Sequence, residues 1–150
     1  MTDVVSQAKR SEMMSGIRAT DTKPEMMLRK ALHARGFRYR LYDKRLPGKP
    51  DIVLPKYNAV IFVHGCFWHG HDCHLFKMPQ TRTEFWREKI EGNRTRDARN
   101  RKLLLDAGWR VADVWECAVK GKLRLVNSEV LVRLVSWING ENPEMEVRGK

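Results

Sequence analysis

Two short apolar runs, four residues apart, constrain this chain more than any other feature. Asp51-Ile-Val-Leu54 and Ala59-Val-Ile-Phe-Val63 are joined by Pro55-Lys-Tyr-Asn58. Apolar runs of this length, bounded by Pro and Asn, read as buried strands, and so short a link reads as a hairpin. In a hairpin the start of one strand lies beside the end of its partner. Asp51 and the backbone at Val63-His64 are therefore expected to converge on one sheet edge.

The remaining elements build around this hairpin. Residues 6–18 are weakly helical, with Met13, Met14 and Ile17 as their sizeable apolar residues. Thr22-Lys-Pro-Glu25 is a capping-box pattern that opens a helix through Met27, Leu28, Ala31 and Leu32, stopping at Gly36. Phe37-Arg-Tyr-Arg-Leu-Tyr42 alternates as a half-buried strand. A long, mostly polar helix is expected from about Glu84 to Asp106, ended by Gly108 and followed by the strand Trp109-Arg-Val-Ala-Asp-Val-Trp115. Ser128 reads as the cap of a last amphipathic helix through Val130, Leu131, Leu134, Val135 and Ile138. Residues 139–150 read as a frayed tail. The order α-α-β-β-β-α-β-α predicts an α/β fold, a mixed sheet flanked by helices. With no internal repeat or linker, residues 1–150 form one expected domain, residues 1–20 being a helical arm.

Charge narrows the partner. Twenty-nine Lys+Arg against 18 Asp+Glu leave +11, the footprint of a polyanion binder. Twelve Lys/Arg fall in residues 1–50 and ten in 77–110, whereas residues 51–76 carry only Lys56. Two basic blocks thus bracket a nearly neutral segment, which favours nucleic acid, because counterion release from phosphates needs many cations rather than a pattern. The run Ala59–Val63 is far shorter than the ~20 apolar residues of a membrane span, and MTDVVSQAKR has no signal-peptide core. Three cysteines, an odd number, argue against a disulfide framework and for a reducing compartment.

The neutral segment carries the chemistry. His64-Gly-Cys-Phe-Trp-His-Gly-His-Asp-Cys-His74 offers two thiols and several imidazoles, and Cys117 lies just past the last strand. Structural zinc takes four such ligands in a tetrahedron. The spacing alone leaves open whether His69, His71 or His74 joins the cysteines. At the hairpin edge, a carboxylate on Asp51 and a nearby backbone carbonyl suit Mg²⁺, a hard cation that keeps several waters. A histidine titrating near neutrality could then accept a proton from water.

These pieces resemble the very-short-patch mismatch repair endonucleases of bacteria, a branch of the restriction-endonuclease-like (PD-(D/E)XK) superfamily. The resemblance runs through Leu46-Pro-Gly-Lys-Pro-Asp51, Val60-Ile-Phe-Val-His-Gly-Cys-Phe-Trp-His69, Leu75-Phe-Lys, Thr81-Arg-Thr-Glu-Phe-Trp86, Glu88-Lys-Ile90, Gly108-Trp-Arg-Val111 and Val114-Trp-Glu-Cys117, and covers residues 10–138. It implies a restriction-endonuclease-like mixed sheet with a structural zinc loop. It also implies a Mg²⁺-dependent nick 5′ to the mispaired T of a T:G mismatch, such as arises from 5-methylcytosine deamination. Carried over by position, Asp51 and the Val63 carbonyl become magnesium ligands. His69 becomes the general base supported by Asp97, and His64 stands where related nucleases place a lysine. Cys66, His71, Cys73 and Cys117 become the zinc ligands. Glu25 falls near the active site in the family, although here it is also the third helical residue of the capping box.

For DNA, the resemblance makes Phe67 and Trp68 a wedge beside the mismatch and Met14 a second wedge from the other groove. Lys89 and Asn93 become contacts to the mismatch; Trp86 reads better as packing. The implied partner is double-stranded DNA with a T:G mismatch, met by a monomer in the bacterial cytoplasm at the nucleoid, with other mismatch-repair proteins as further partners. Phe62 stands where many relatives of the fold carry a second acid, leaving the site poor in carboxylates. Position 63 is Val where Thr is also found, and the loop has Gly70 and Asp72 where the family commonly has more histidines. Two other functions fit the composition: a zinc-stabilised DNA-binding module without catalysis, and a type II restriction endonuclease that cuts both strands.

Overall fold

The computed structural model describes residues 22–150, so Met14 and the arm over residues 1–20 lie outside the described residues. The first helix, α1 (Lys23–Ala34), begins as its sequence dictates. Thr22 is its N-cap, with Oγ1 accepting the Glu25 N–H at 3.4 Å, and Pro24 sits in the first turn where no N–H is missed. Leu28 and Leu32, one turn apart, are fully buried, and Gly36 at φ +89 follows the helix end.

Five strands form a single sheet in the order β1 (Arg40–Leu41), β2 (Ile52–Leu54), β3 (Ala59–His64), β4 (Arg110–Trp115) and β5 (Glu144–Val147). β2 runs antiparallel to both β1 and β3; β4 runs parallel to β3, and β5 parallel to β4. The expected hairpin is β2–β3, with Ile52 opposite Ile61 and Leu54 opposite Ala59. Its connection is a 3-10 turn, Pro55–Tyr57, closed by Asn58 in the left-handed region at φ 51, which Asn tolerates better than most residues.

Helices cover both faces. On one, α1 and α4 (Asn127–Asn139) bury Leu28, Leu32, Leu131, Leu134 and Ile138 against Ile52, Leu54, Ile61 and Val114. On the other, α2 (Thr83–Asp106) contributes Leu104 to a smaller cluster with Val53, Val60 and Val111. Only Ile90 and Leu104 of α2 are buried, so most of its 24 residues face outward, as its polar sequence requires. No helix among the described residues is long and apolar enough to cross a membrane.

Three expectations are corrected, and one element is added. Residues 139–150 do not fray: Glu144–Val147 form the edge strand β5, with Val147 fully buried and Trp137 Nε1 donating to the Asn142 carbonyl at 2.9 Å. The reason is non-local. β4 is buried along its length, and its open edge needs pairing whatever the tail's own propensity. Ser128 is not the cap of α4; that role falls to extended Val126, whose carbonyl accepts the Glu129 and Val130 N–H groups at 2.9 and 3.2 Å. The strand expected over residues 37–42 shrinks to Arg40–Leu41, because Phe37 turns into the core and packs on Tyr57 at 5.6 Å. Finally, a one-turn helix, α3 (Glu116–Val119), follows β4 and buries Cys117.

Candidate active site and metal centre

The chemistry-bearing residues gather where β2 begins and β3 ends. A cleft of about 520 Å³ opens there, lined by Glu25, Asp51, Val63, His64, Phe67, Trp68, His69 and Asp97, with Lys49, Arg101, Asp113 and Glu116 among its other walls. The hairpin does what its sequence implies: Asp51 Oδ2 accepts the Val63 N–H at 2.7 Å. The described contact uses the Val63 N–H rather than its carbonyl. In extended backbone both groups of one residue address the same neighbour, so the carbonyl lies on the same strand edge. Burial, helped by the charge of Glu25, pushes the Asp51 carboxyl up to about 7 against the opposing effect of that N–H. A buried carboxylate held beside a second acid is a site that a cation relieves.

Glu25 is 1% exposed and lines this region. Its Oε2 accepts from the Tyr42 hydroxyl and, at 3.3 Å, from Arg29 Nη2. The Thr22 hydroxyl and the Glu25 N–H make a capping contact, and the Glu25 carboxylate lines the cleft.

Across the cleft, His69 in the loop after β3 contacts Asp97 of α2 through Nδ1. A carboxylate has no proton to give, so Nδ1 donates and Nε2 keeps its lone pair. His64, the last residue of β3, is buried, and its Nε2 lies 2.6 Å from Asp113 Oδ1. Burial pulls its pKa down to about 3, with His69 reinforcing the effect, so the ring is neutral near pH 7. His64, His69 and Asp97 also place their ligand atoms within 4.8 Å of one another.

Cys66, His71, Cys73 and Cys117 form the second cluster, again with ligand atoms within 4.8 Å. His71 Nδ1 is 3.6 Å from both Cys66 Sγ and Cys117 Sγ. Two backbone donors aim at the sulfurs, Cys117 N–H at Cys66 Sγ and Gly149 N–H at Cys117 Sγ, each at 3.3 Å. Burial pushes the Cys66 and Cys117 thiols up and His71 down. Thiolates there need a cation, and a neutral imidazole is the ligating form, so the donor set fits a tetrahedral soft-metal site. Of the other two histidines left open by spacing, His69 faces Asp97 and His74 is exposed. Trp115 links the two clusters: it stacks on His71 at 3.9 Å and lies 4.7 Å from His64.

The candidate DNA residues divide. Phe67 and Trp68 sit edge to face at 5.2 Å on the cleft rim, and Trp86 of α2 packs against them at 5.4 and 5.7 Å. Lys89 is exposed on α2. Asn93, one turn on, instead donates Nδ2 to the Trp68 carbonyl at 2.8 Å, fixing the loop that carries the aromatic pair. The sequence reading missed Arg101, Asp113, Glu116 and Arg148. One signal was visible, a lone Asp inside the apolar run Val111-Ala-Asp-Val114; the others act only across the fold.

The family model described as DNA mismatch endonuclease Vsr matches residues 2–75. The chain is 47% identical to DNA mismatch endonuclease Vsr of Escherichia coli strain K12 over 147 residues, covering 98% of this chain and 94% of that protein. It is 50% identical to the type II nicking enzyme V.NmeAIP of Neisseria meningitidis over 92% of this chain and 97% of that one. A further relative, the type II nicking enzyme V.XorIIP of Xanthomonas oryzae, is 50% identical over 78% of this chain. With near-complete coverage at this identity, the chain belongs to the Vsr family of DNA mismatch endonucleases.

Proposed function

We propose that this protein is a Mg²⁺-dependent endonuclease that nicks one strand of duplex DNA 5′ to the mispaired T of a T:G mismatch, on a restriction-endonuclease-like scaffold. The observation that carries the reading is one cleft holding both Asp51 and the His69–Asp97 pair, rimmed by the Phe67–Trp68 wedge. A zinc-stabilised binding module has no use for a histidine oriented by a carboxylate opposite a buried acid.

In this reading Asp51 and the Val63 carbonyl hold Mg²⁺, which supplies charge stabilisation at the phosphodiester and acidifies water. His69 Nε2 takes the proton of the attacking water, while Asp97 keeps the ring in that tautomer and steadies the imidazolium. His64 presents a neutral ring at the position where related nucleases use a lysine. Glu25, close to Asp51, sharpens the local demand for a cation. Cys66, His71, Cys73 and Cys117 bind structural Zn²⁺, which holds the loop bearing Phe67, Trp68 and His69.

Phe67 and Trp68 insert beside the mismatch, where unstacking is cheap because pairing is already imperfect. Met14 enters from the other groove, and Lys89 and Asn93 contact the mismatch, Asn93 through the loop it braces. The basic blocks supply the salt-dependent part of affinity. The enzyme works as a monomer in the bacterial cytoplasm at the nucleoid, alongside other mismatch-repair proteins.

The test is an end-labelled T:G duplex and its C:G counterpart, incubated with Mg²⁺ or EDTA and resolved on a denaturing gel. A Mg²⁺-dependent nick confined to the T strand of T:G supports the proposal. Cleavage of both strands in C:G duplex indicates a restriction enzyme, and binding without cleavage indicates the zinc module.

A further inference from the structure

Asp113 occupies an unusual place for a carboxylate. It lies in the middle of β4, where Val111, Ala112 and Val114 are fully buried, and is itself 3% exposed. A buried acid persists only where it is paired and hydrogen-bonded. Asp113 has two partners from two other elements. Oδ1 meets His64 Nε2 at 2.6 Å, and Oδ2 meets the guanidinium of Arg101 on α2, which also reaches Glu144 Oε1 on β5 at 3.4 Å.

The sheet register explains the first contact. Phe62 pairs with Asp113 and His64 with Trp115 on the parallel strands β3 and β4, so His64 and Asp113 are diagonal neighbours on one face. The second contact decides its character. Arg101 answers the charge of Asp113, and the carboxylate, which has no hydrogen to give, leaves the donor's part of the contact to His64 Nε2. Nε2 then carries the hydrogen and Nδ1 the lone pair. Phe62 stacks parallel to the imidazole at 5.7 Å, and His69 meets it edge-on at 4.5 Å, so its plane is confined as well.

We infer that Asp113, neutralised by Arg101, is a positioning residue that fixes the tautomer and orientation of His64 at the edge of the cleft. The inference rests on the role proposed for His64 and goes beyond it in naming what holds that ring. It explains why a polar triad of Arg101, Asp113 and His64 survives inside an otherwise apolar strand pair. It also gives α2 a task besides carrying basic residues, because Arg101 lies one turn after Asp97 on the same helix.

The test uses the full chain with its zinc and compares His64→Ala, Asp113→Ala, Asp113→Asn and the double variant His64→Ala/Asp113→Ala. Three quantities are read: the single-turnover nicking rate on T:G duplex, the Kd for that duplex in Ca²⁺, and imidazole ¹⁵N shifts, which report the tautomer. Asp113→Ala is expected to slow nicking about 10-fold to 100-fold, as loss of a supporting hydrogen bond commonly does. Its Kd stays within about threefold, and the His64 ¹⁵N signals move from the pure Nε2–H pattern towards a mixture. Asp113→Asn keeps an acceptor oxygen and recovers part of the rate. In the His64→Ala background, Asp113→Ala adds nothing.

If Asp113→Ala does not fold, the pair variant Asp113→Val/Arg101→Met keeps the strand apolar and is read the same way. A normal rate and tautomer in that variant, while His64→Ala is slow, overturns the inference and leaves the role of His64 intact. A full additional loss in the His64→Ala background overturns it too, by showing that Asp113 acts on something else. Normal nicking by His64→Ala overturns the His64 reading itself.

Discussion

Arg148 grips Asp72 twice, through Nη1 to the side-chain Oδ1 at 2.8 Å and through Nη2 to the backbone carbonyl at 2.9 Å. Asp72 stands between the ligand candidates His71 and Cys73, so the C-terminal segment straps the metal loop from outside. The next residue, Gly149, continues the strap by donating its N–H to Cys117 Sγ.

Gly149 is therefore expected to be the sensitive position of the strap. A Cβ there would stand 2.6 Å from the Cys117 carbonyl and 2.9 Å from that of Leu123, both backbone atoms that cannot step aside. Gly149→Val is expected to cost about 1–3 kcal/mol and to lower zinc content. Arg148→Ala breaks a largely exposed pair and is expected to have a far smaller effect. Thermal unfolding with metal analysis by mass spectrometry compares them.

Cys117→Ser removes one of the four proposed ligands, three of which are buried. Zinc content is expected to fall well below one per chain, with the melting temperature dropping by ten degrees or so. Because binding free energy there is folding free energy, a strong chelator at pH 7 is expected to move wild type towards the variant. Full zinc loading of Cys117→Ser would refute the ligand set.

Asp51 links function to pH with a definite sign. Its folded carboxyl titrates near 7, whereas in the unfolded chain it titrates near ~4. Between those values the folded state holds the extra proton, so metal-free stability falls as pH rises from about 4 to 7 and stays low above. Mg²⁺ requires the carboxylate, so its apparent affinity is expected to climb through pH 7 and then level off. Asp51→Asn is expected to abolish nicking yet, without added Mg²⁺ at pH 8, to be more stable than wild type by of the order of 1–2 kcal/mol. At pH 5 that advantage shrinks. Equal stability of the two proteins at pH 8 would count against the buried, raised carboxyl.

His69 and Asp97 are expected to differ in degree. Loss of a general base costs roughly 10²–10⁴-fold, so His69→Ala falls in that range with duplex Kd little changed. Asp97→Asn keeps a hydrogen-bonding group beside Nδ1 but not the charge that steadies the imidazolium. A smaller loss, near tenfold, is expected in single-turnover assays.

The aromatic rim is expected to show itself in discrimination rather than in overall affinity. Phe67→Ala and Trp68→Ala each remove one stacking surface, worth about 1–3 kcal/mol. Competition binding between T:G and C:G duplexes is expected to lose roughly tenfold or more of its preference, while the salt dependence, set by the basic blocks, is unchanged.

Much of the active edge was legible in the chain because it is local. Pro50-Asp51, a four-residue link and an apolar run ending at His64 dictate a hairpin, and a hairpin brings Asp51 to Val63 through chain geometry alone. The cap at Thr22 and the stop at Gly36 are likewise written in neighbouring residues. The aromatic and metal-binding residues of the loop were visible as residue types; which histidine faces the cysteines was not.

The tertiary structure decided what depends on partners distant in sequence. Residues 144–147 carry little strand signal of their own and become β5 because the buried β4 has an edge to satisfy. His71 rather than His69 turns to the thiols because Asp97, 28 residues away, takes His69, and Trp115 stacks on His71. Asp113 reads as a misplaced charge until Arg101 and His64 close on it from a helix and a neighbouring strand. The sequence by itself determined the local elements, the capped first helix, the hairpin and the long polar helix, together with most of the residue types at the site, since propensity and spacing act over a few residues. Only the packed fold decided which of those residues face one another, because burial favours polar groups that find a partner, wherever in the chain that partner lies.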